Sequence, residues 1–337
     1  MKKVFAICFL SALLLAACGG GKGSKAMQQG LECWQFAPPV GSVLDTVVID
    51  TMDVKNPFIC YERLDDHYYM VADGGYLWQS KDLYSWVGPY DVLLLDGASW
   101  FGKAPQITSP EIHRFNGRYY YLATVETPGA AHRSCVVFAA DRITGPYRML
   151  NVKNSLLALD EMAAHPTFGI DYMNAAYMIY TRDGGQGQGN AMQIIRFSDD
   201  LERRVGEPYE MFTASQCRWL SGADENLLPV IEAPCLFATD EDGFGILFTT
   251  YVDGNKAIGV AYSETERYGY NGPWNVEPQP LLQEGVSSPS IFADYDGTMV
   301  LAVGKDTVIG GVDKCVPQLF KIDMQFEKLM IKGHYKF

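Results

Sequence analysis

Asn56, Ser109, His165, Ala233 and Ser288 each stand immediately before a proline, and Glu232 lies one step ahead of the fourth. Brought together, these residues would form an acid–base site. Glu232 can exchange a proton, His165 can hydrogen-bond to it, and Asn56 can orient a nucleophile without activating it. Ser109 and Ser288 add hydroxyls suited to a polar ligand. Other chemistries lack their motifs: the chain has no Gly-rich phosphate loop, no His-Glu-X-X-His pair and no Gly-X-Ser-X-Gly elbow.

The residues that must position this set are short β-type runs bounded by Gly, Asn, Asp and Pro. The clearest copy is Ser109-Pro110-Glu111-Ile112-His113, then Asn116-Gly117, then Tyr119 to Val125. Asn-Gly between two such runs predicts a type I′ hairpin. Aligned on the X-Pro step, the same grammar occurs five times, with prolines at 57, 110, 166, 234 and 289. After each proline comes a polar turn and an aromatic-rich strand, then further strands, with an outer aromatic at Trp86, Tyr147, Tyr209 and Trp274 in four copies. Repetition near fifty residues with about four strands per unit predicts an all-β, five-bladed β-propeller over residues 31–337. Two stacked β-sandwiches are the rival, but sandwiches do not usually repeat one strand grammar five times. Proline is expected at the first residue of each inner strand, where its missing N–H breaks no ladder. Residues 26–50 are expected to complete the last blade or cover an end. In a propeller the pre-proline residues would surround one mouth of a central funnel.

Ser109-Pro110-Glu111-Ile112-His113, Ile231-Glu232-Ala233-Pro234 and Gly272-Pro273-Trp274, in this order and over roughly residues 50–328, resemble glycoside hydrolase family 43. The resemblance implies hydrolysis of arabinose- or xylose-containing polysaccharides with inversion. It also implies a general-base Asp in blade one, a supporting Asp in blade three and a general-acid Glu in blade four. Glu232 matches the acid, and burial beside aromatics would raise its pKa as a proton donor requires. Asn56 occupies the base position and His165 the supporting position. Asp53, Asp160 and Glu161 lie near these positions and are candidate substitutes. Ser288 replaces the histidine that the family often uses towards a central metal through water, so no cofactor is expected and a structural Ca2+ has lost its usual partner.

Trp100, Trp219 and Tyr251 are expected to contact the sugar with Ser109 and Ser288, while Trp86 and Trp274 are expected in the core and His113 as a packed histidine. Specificity is expected from loops 91–107 and 183–190.

Residues 1–17 read as a lipoprotein signal peptide: Lys2 and Lys3, an apolar run from Val4 to Leu15, then Leu15-Ala16-Ala17-Cys18. Cys18 is the expected lipidation site, and residues 18–30 a flexible tether rich in glycine. The expected location is the bacterial cell envelope, with the membrane reached only through the anchor. Removing two lysines takes the formal charge from −13 to −15, which disfavours nucleic acid and anionic surfaces. A neutral carbohydrate is the expected partner of a monomeric body. Six further cysteines are widely spaced with no Cys-X-X-Cys, which argues against zinc. Two functions follow: a lipid-anchored glycoside hydrolase with an unorthodox base, or a catalytically degenerate glycan-binding lipoprotein.

Overall fold

The computed structural model describes residues 44–102, 104–127, 133–150, 162–182, 189–220, 230–239, 243–263, 270 and 272–337. The expected signal peptide, the tether, Cys18, Cys33, Asp160, Glu161 and most of loop 183–190 lie outside them. So do the lipid anchor and the location read from those residues.

Five sheets, antiparallel except for one parallel pair in blade two, follow one another along the chain, and they form the blades of a β-propeller. Blade one contains β1 (Asp45–Val48), β2 (Phe58–Glu62), β3 (His67–Ala72), β4 (Tyr76–Ser80) and β5 (Ser85–Asp91). Blade two contains β6 (Leu93–Leu94), β7 (Gln106–Phe115), β8 (Arg118–Glu126), β9 (Arg133–Ala140) and β10 (Tyr147–Met149). Blade three is β11 (Ala163–Ile170), β12 (Ala176–Arg182), β13 (Ala191–Phe197) and β14 (Arg204–Thr213). Blade four is β15 (Glu232–Ala238), β16 (Phe244–Val252), β17 (Asn255–Ser263) and β18 (Trp274–Val276). Blade five is β19 (Val286–Ala293), β20 (Met299–Ile309), β21 (Val312–Gln325) and β22 (Lys328–His334).

In each blade four strands pair in sequence order from the inner strand outwards, because turns connect consecutive strands, and in blades one and two an earlier strand adds to the outer edge. The turn between β7 and β8 has positive φ at both Asn116 (47°) and Gly117 (81°), the pair of conformations that a type I′ turn requires. Five apolar clusters fill the seams between neighbouring blades. Trp86 and Trp274 belong to them, 0% and 4% exposed.

Three expectations need correction. In blades two to five the proline lies inside the inner strand, not at its start. At each of these steps the pre-proline residue and the proline together face one residue of the next strand, forming a β-bulge. A bulge leaves backbone N–H groups out of the ladder, so the proline forfeits no bond.

Residues 45–48 do not complete the last blade. β1 adds to the outer edge of blade one, opposite β5. The C-terminal β22 supplies the fourth strand of blade five, so the ring closes by packing and hydrogen bonds instead of strand exchange. Loop 91–107 is also partly strand: β6 lies parallel to β10 and extends blade two.

Candidate active site

The five pre-proline residues share one backbone conformation. Their φ values are 52° (Asn56), 48° (Ser109), 53° (His165), 49° (Ala233) and 54° (Ser288). A non-glycine residue in the left-handed region costs roughly 1–3 kcal/mol and persists only where surrounding structure imposes it. In blades two to five the bulge imposes it, and Asn56 takes the same conformation just ahead of β2. The pre-proline residues and their prolines line an axial cavity of about 20 Å³, room for little more than a water. Phe58, Glu111 and Ser290 continue its wall below the prolines.

The side chains at this mouth form a nearly continuous hydrogen-bonded ring. His165 Nε2 lies 3.4 Å from Glu232 Oε2, and His165 Nδ1 lies 2.7 Å from Ser109 Oγ. The Ser109 backbone N–H donates to Asp73 Oδ1 at 2.8 Å. Asn56 Nδ2 donates to the same oxygen, also at 2.8 Å. Asn56 Oδ1 accepts from the Ser288 hydroxyl, and the Ser288 N–H donates to Thr249 Oγ1 at 2.7 Å. Tyr251 OH approaches Glu232 Oε1 from the rim at 3.4 Å. Asn56, His165 and Glu232 thus converge from three blades, accompanied by Ser109, Ser288 and Tyr251.

The electrostatics differ from expectation at Glu232. Burial pushes its carboxyl up, but the hydrogen bond and charge of His165, then Tyr251 and Lys256, outweigh burial and set it below the ordinary value. Asp73 behaves oppositely. Burial raises its pKa above the ordinary value despite its bonds from Asn56 and Ser109 and the nearby His165 and Lys55.

Other residues fall elsewhere. The Asp53 carboxylate accepts the Cys315 N–H at 3.0 Å and thereby ties the chain ahead of β2 to blade five, with no bond to the ring of side chains among those found for it. Trp100 packs on the cluster between blades one and two, against Phe101, and Trp219 packs on the cluster between blades three and four. Neither indole lines the axial cavity. His113 sits between Phe58 and Phe168 and pairs with Glu111 at 2.6 Å. Among the described residues, no three His, Cys, Asp or Glu side chains are gathered so as to hold a metal ion. Cys217 and Cys315 are buried free thiols.

Sequence reasoning missed Asp73. It follows β3, far from any X-Pro step, and reaches the ring from the second strand of blade one. A comparison of second strands would have found it. The residue two beyond the partner of the post-proline position is Asp73, Thr124, Thr181, Thr249 and Gly304 in the five blades.

The family model for glycosyl hydrolases family 43 matches residues 46–280. The chain belongs to that family. The family-43 chain also shares its fold with solved structures of low sequence identity. An endo-arabinase from Bacteroides thetaiotaomicron aligns with a TM-score of 0.74 at 22% identity, over 85% of this chain and 100% of its own. An endo-1,4-beta-xylanase from the same organism aligns at 0.67 and 18% identity, over 86% and 97%. An alpha-L-arabinofuranosidase from Lactobacillus brevis gives 0.63 and 15%, over 86% and 97%. A search of curated protein sequences finds no match.

Proposed function

We propose that this family-43 chain is an exported, lipid-anchored glycoside hydrolase. Its substrates on this reading are O-glycosidic bonds of arabinose- or xylose-type plant polysaccharides, cleaved with inversion, and Glu232 is the general acid. The Glu232 carboxyl at the mouth of the propeller, held by His165 and Tyr251, is the observation that carries the reading. The relatives named as arabinase, xylanase and arabinofuranosidase support the sugar class. The Leu15-Ala16-Ala17-Cys18 box supports the anchor.

Glu232 must carry a proton when the leaving oxygen departs. In the free protein His165 holds its carboxyl low. A glycan seated over the mouth excludes water, and the added desolvation pushes the carboxyl up when the proton is needed. His165, between Ser109 and Glu232, orients the acid and shares its proton. Ser288 and Asn56 offer polar groups to a water or a sugar hydroxyl.

One observation favours a second reading, a glycan-binding lipoprotein without turnover. The family's base position carries Asn56, and an amide takes no proton from water. Hydrolysis of aryl arabinofuranosides, xylosides and galactosides by the native chain and by Glu232→Gln separates the two readings. The hydrolase reading predicts native turnover that falls by about 10²–10⁴ in the variant. Native inertness across arabinan, xylan and the aryl panel, with glycan binding intact, would replace it with the second.

A further inference from the structure

We propose that Asp73, not the residue at the family's base position, is the general base: its carboxylate stands one hydrogen bond from Asn56 and activates the attacking water. This rests on the hydrolase reading above.

The nearest structural alternative is a clasp between blades, and the other blades show what a clasp needs. Thr124 Oγ1 accepts the His165 N–H at 2.7 Å, and Thr249 Oγ1 accepts the Ser288 N–H at 2.7 Å. Asp73 Oδ1 accepts the Ser109 N–H at the equivalent place. A threonine hydroxyl therefore performs the clasp in two blades. The carboxylate in blade one adds a negative charge and a second oxygen that the clasp does not require.

Its position matches the missing function. Both bonds it accepts fall on Oδ1, which leaves Oδ2 for a water. Ser109 and His165 stand between Asp73 and Glu232, so the two carboxyl groups are not in contact, and inversion needs a gap between them that admits a water (roughly 6.5–9.5 Å). Burial raises the Asp73 carboxyl and makes it the stronger proton acceptor.

Asp73 also explains Asn56. The amide donates to Asp73 through Nδ2 and accepts from Ser288 through Oδ1, a division of roles that only an amide fills there. An aspartate at position 56 would set two carboxylates about 2.8 Å apart, and one would have to hold a proton. Restoring the familiar residue alone is thus expected to hinder the site.

The balanced step is simple. The water oxygen bonds to the anomeric carbon while one of its protons passes to Asp73 Oδ2. The bond from that carbon to the leaving oxygen breaks, and the leaving oxygen takes the proton of Glu232. The sugar is released with its anomeric configuration inverted.

The test compares native protein, Asp73→Thr, and Asn56→Asp with Asp73→Thr, on an aryl arabinofuranoside or xyloside that the native chain cleaves. Asp73→Thr keeps the clasp on the pattern of Thr124 and Thr249. Its kcat is expected to fall about 10²–10⁴-fold. Sodium azide, a nucleophile that needs no base, is expected to restore turnover and yield the glycosyl azide, and the double variant to regain activity over Asp73→Thr. Asp73→Thr turnover within a few-fold of native overturns the proposal while leaving the hydrolase reading intact. A loss that neither azide nor the double variant relieves makes Asp73 structural and equally overturns it. A native chain inert towards arabinan, xylan and the aryl panel, or unaffected by Glu232→Gln, removes the hydrolase reading itself.

Discussion

At the scale of the residue, two carboxyl groups are tuned in opposite directions by their neighbours. Burial raises Asp73, whereas at Glu232 His165, with Tyr251 and Lys256, outweighs burial and lowers the carboxyl. The signs give two predictions. A carboxyl with a raised folded-state pKa contributes stability below its unfolded pKa and loses it as pH rises through the folded value. Asp73 ionised at neutral pH is therefore a cost to the fold. Asp73→Thr is expected to raise Tm at pH 7 relative to native more than at pH 4, in thermal melts at the two pH values. Glu232, set low, contributes stability above its unfolded pKa that fades as pH falls through the folded value. For catalysis the same depression brings the alkaline limb of kcat/KM to lower pH. His165→Gln removes the imidazole whose hydrogen bond and charge lower it and is expected to move that limb upward, whatever it does to the maximum rate. A downward or unchanged limb would show that His165 does not set the acid.

At the scale of the element, the bulge at the X-Pro steps of blades two to five is the device that aims a side chain at the axis. It combines a proline that needs no ladder bond with a pre-proline residue in the left-handed region. The repeat of X-Pro steps and aromatic strands was legible because strand grammar is local: an Asn-Gly turn and alternating residues declare themselves within about ten positions. Glu232, His165 and Asn56 were legible for the same reason, each being tied to a proline. Asp73 was not, because its role depends on the register between β2 and β3 and on a neighbour from another blade. β1 was equally hidden, since nothing in Asp45–Val48 says that its partner is β5 and not a strand of blade five.

Blade five tests the register argument. Gly304 stands where the other blades have Asp or Thr, and a Cβ there would lie 2.8 Å from Cys315 Sγ and 3.3 Å from Pro57 Cδ. Gly304→Ala is expected to destabilise by about 1–3 kcal/mol by chemical denaturation, through overpacking against the proline beside Asn56. No loss would mean that this seam has slack.

At the scale of the whole molecule, the ring is closed without exchanging a strand between its ends. Blades one and five share an apolar cluster that includes Met70, Trp86, Phe292 and Val300. A buried carboxylate reinforces it: Asp294, 2% exposed, accepts hydrogen bonds from Tyr68 of blade one and from Tyr335 near the C-terminus. Asp294→Ala would leave two phenol groups without their acceptor and is expected to cost about 2 kcal/mol or more, read from the urea midpoint. A closure that relied on apolar packing alone would show almost no change. The architecture was legible as a whole, since five repeats of four strands leave few alternatives. Its mode of closure was not, because closure depends on contacts between residues more than two hundred positions apart.

The central claim is that the mouth around Glu232 cleaves glycosidic bonds with inversion. Proton NMR of the first anomer released from an arabinofuranoside or xyloside, recorded before mutarotation with native protein and with Glu232→Gln, tests it most directly. The expected result is the anomer opposite to that of the substrate, formed by the native chain and reduced about 10²–10⁴-fold in the variant. A retained anomer, or release that does not depend on Glu232, would contradict it.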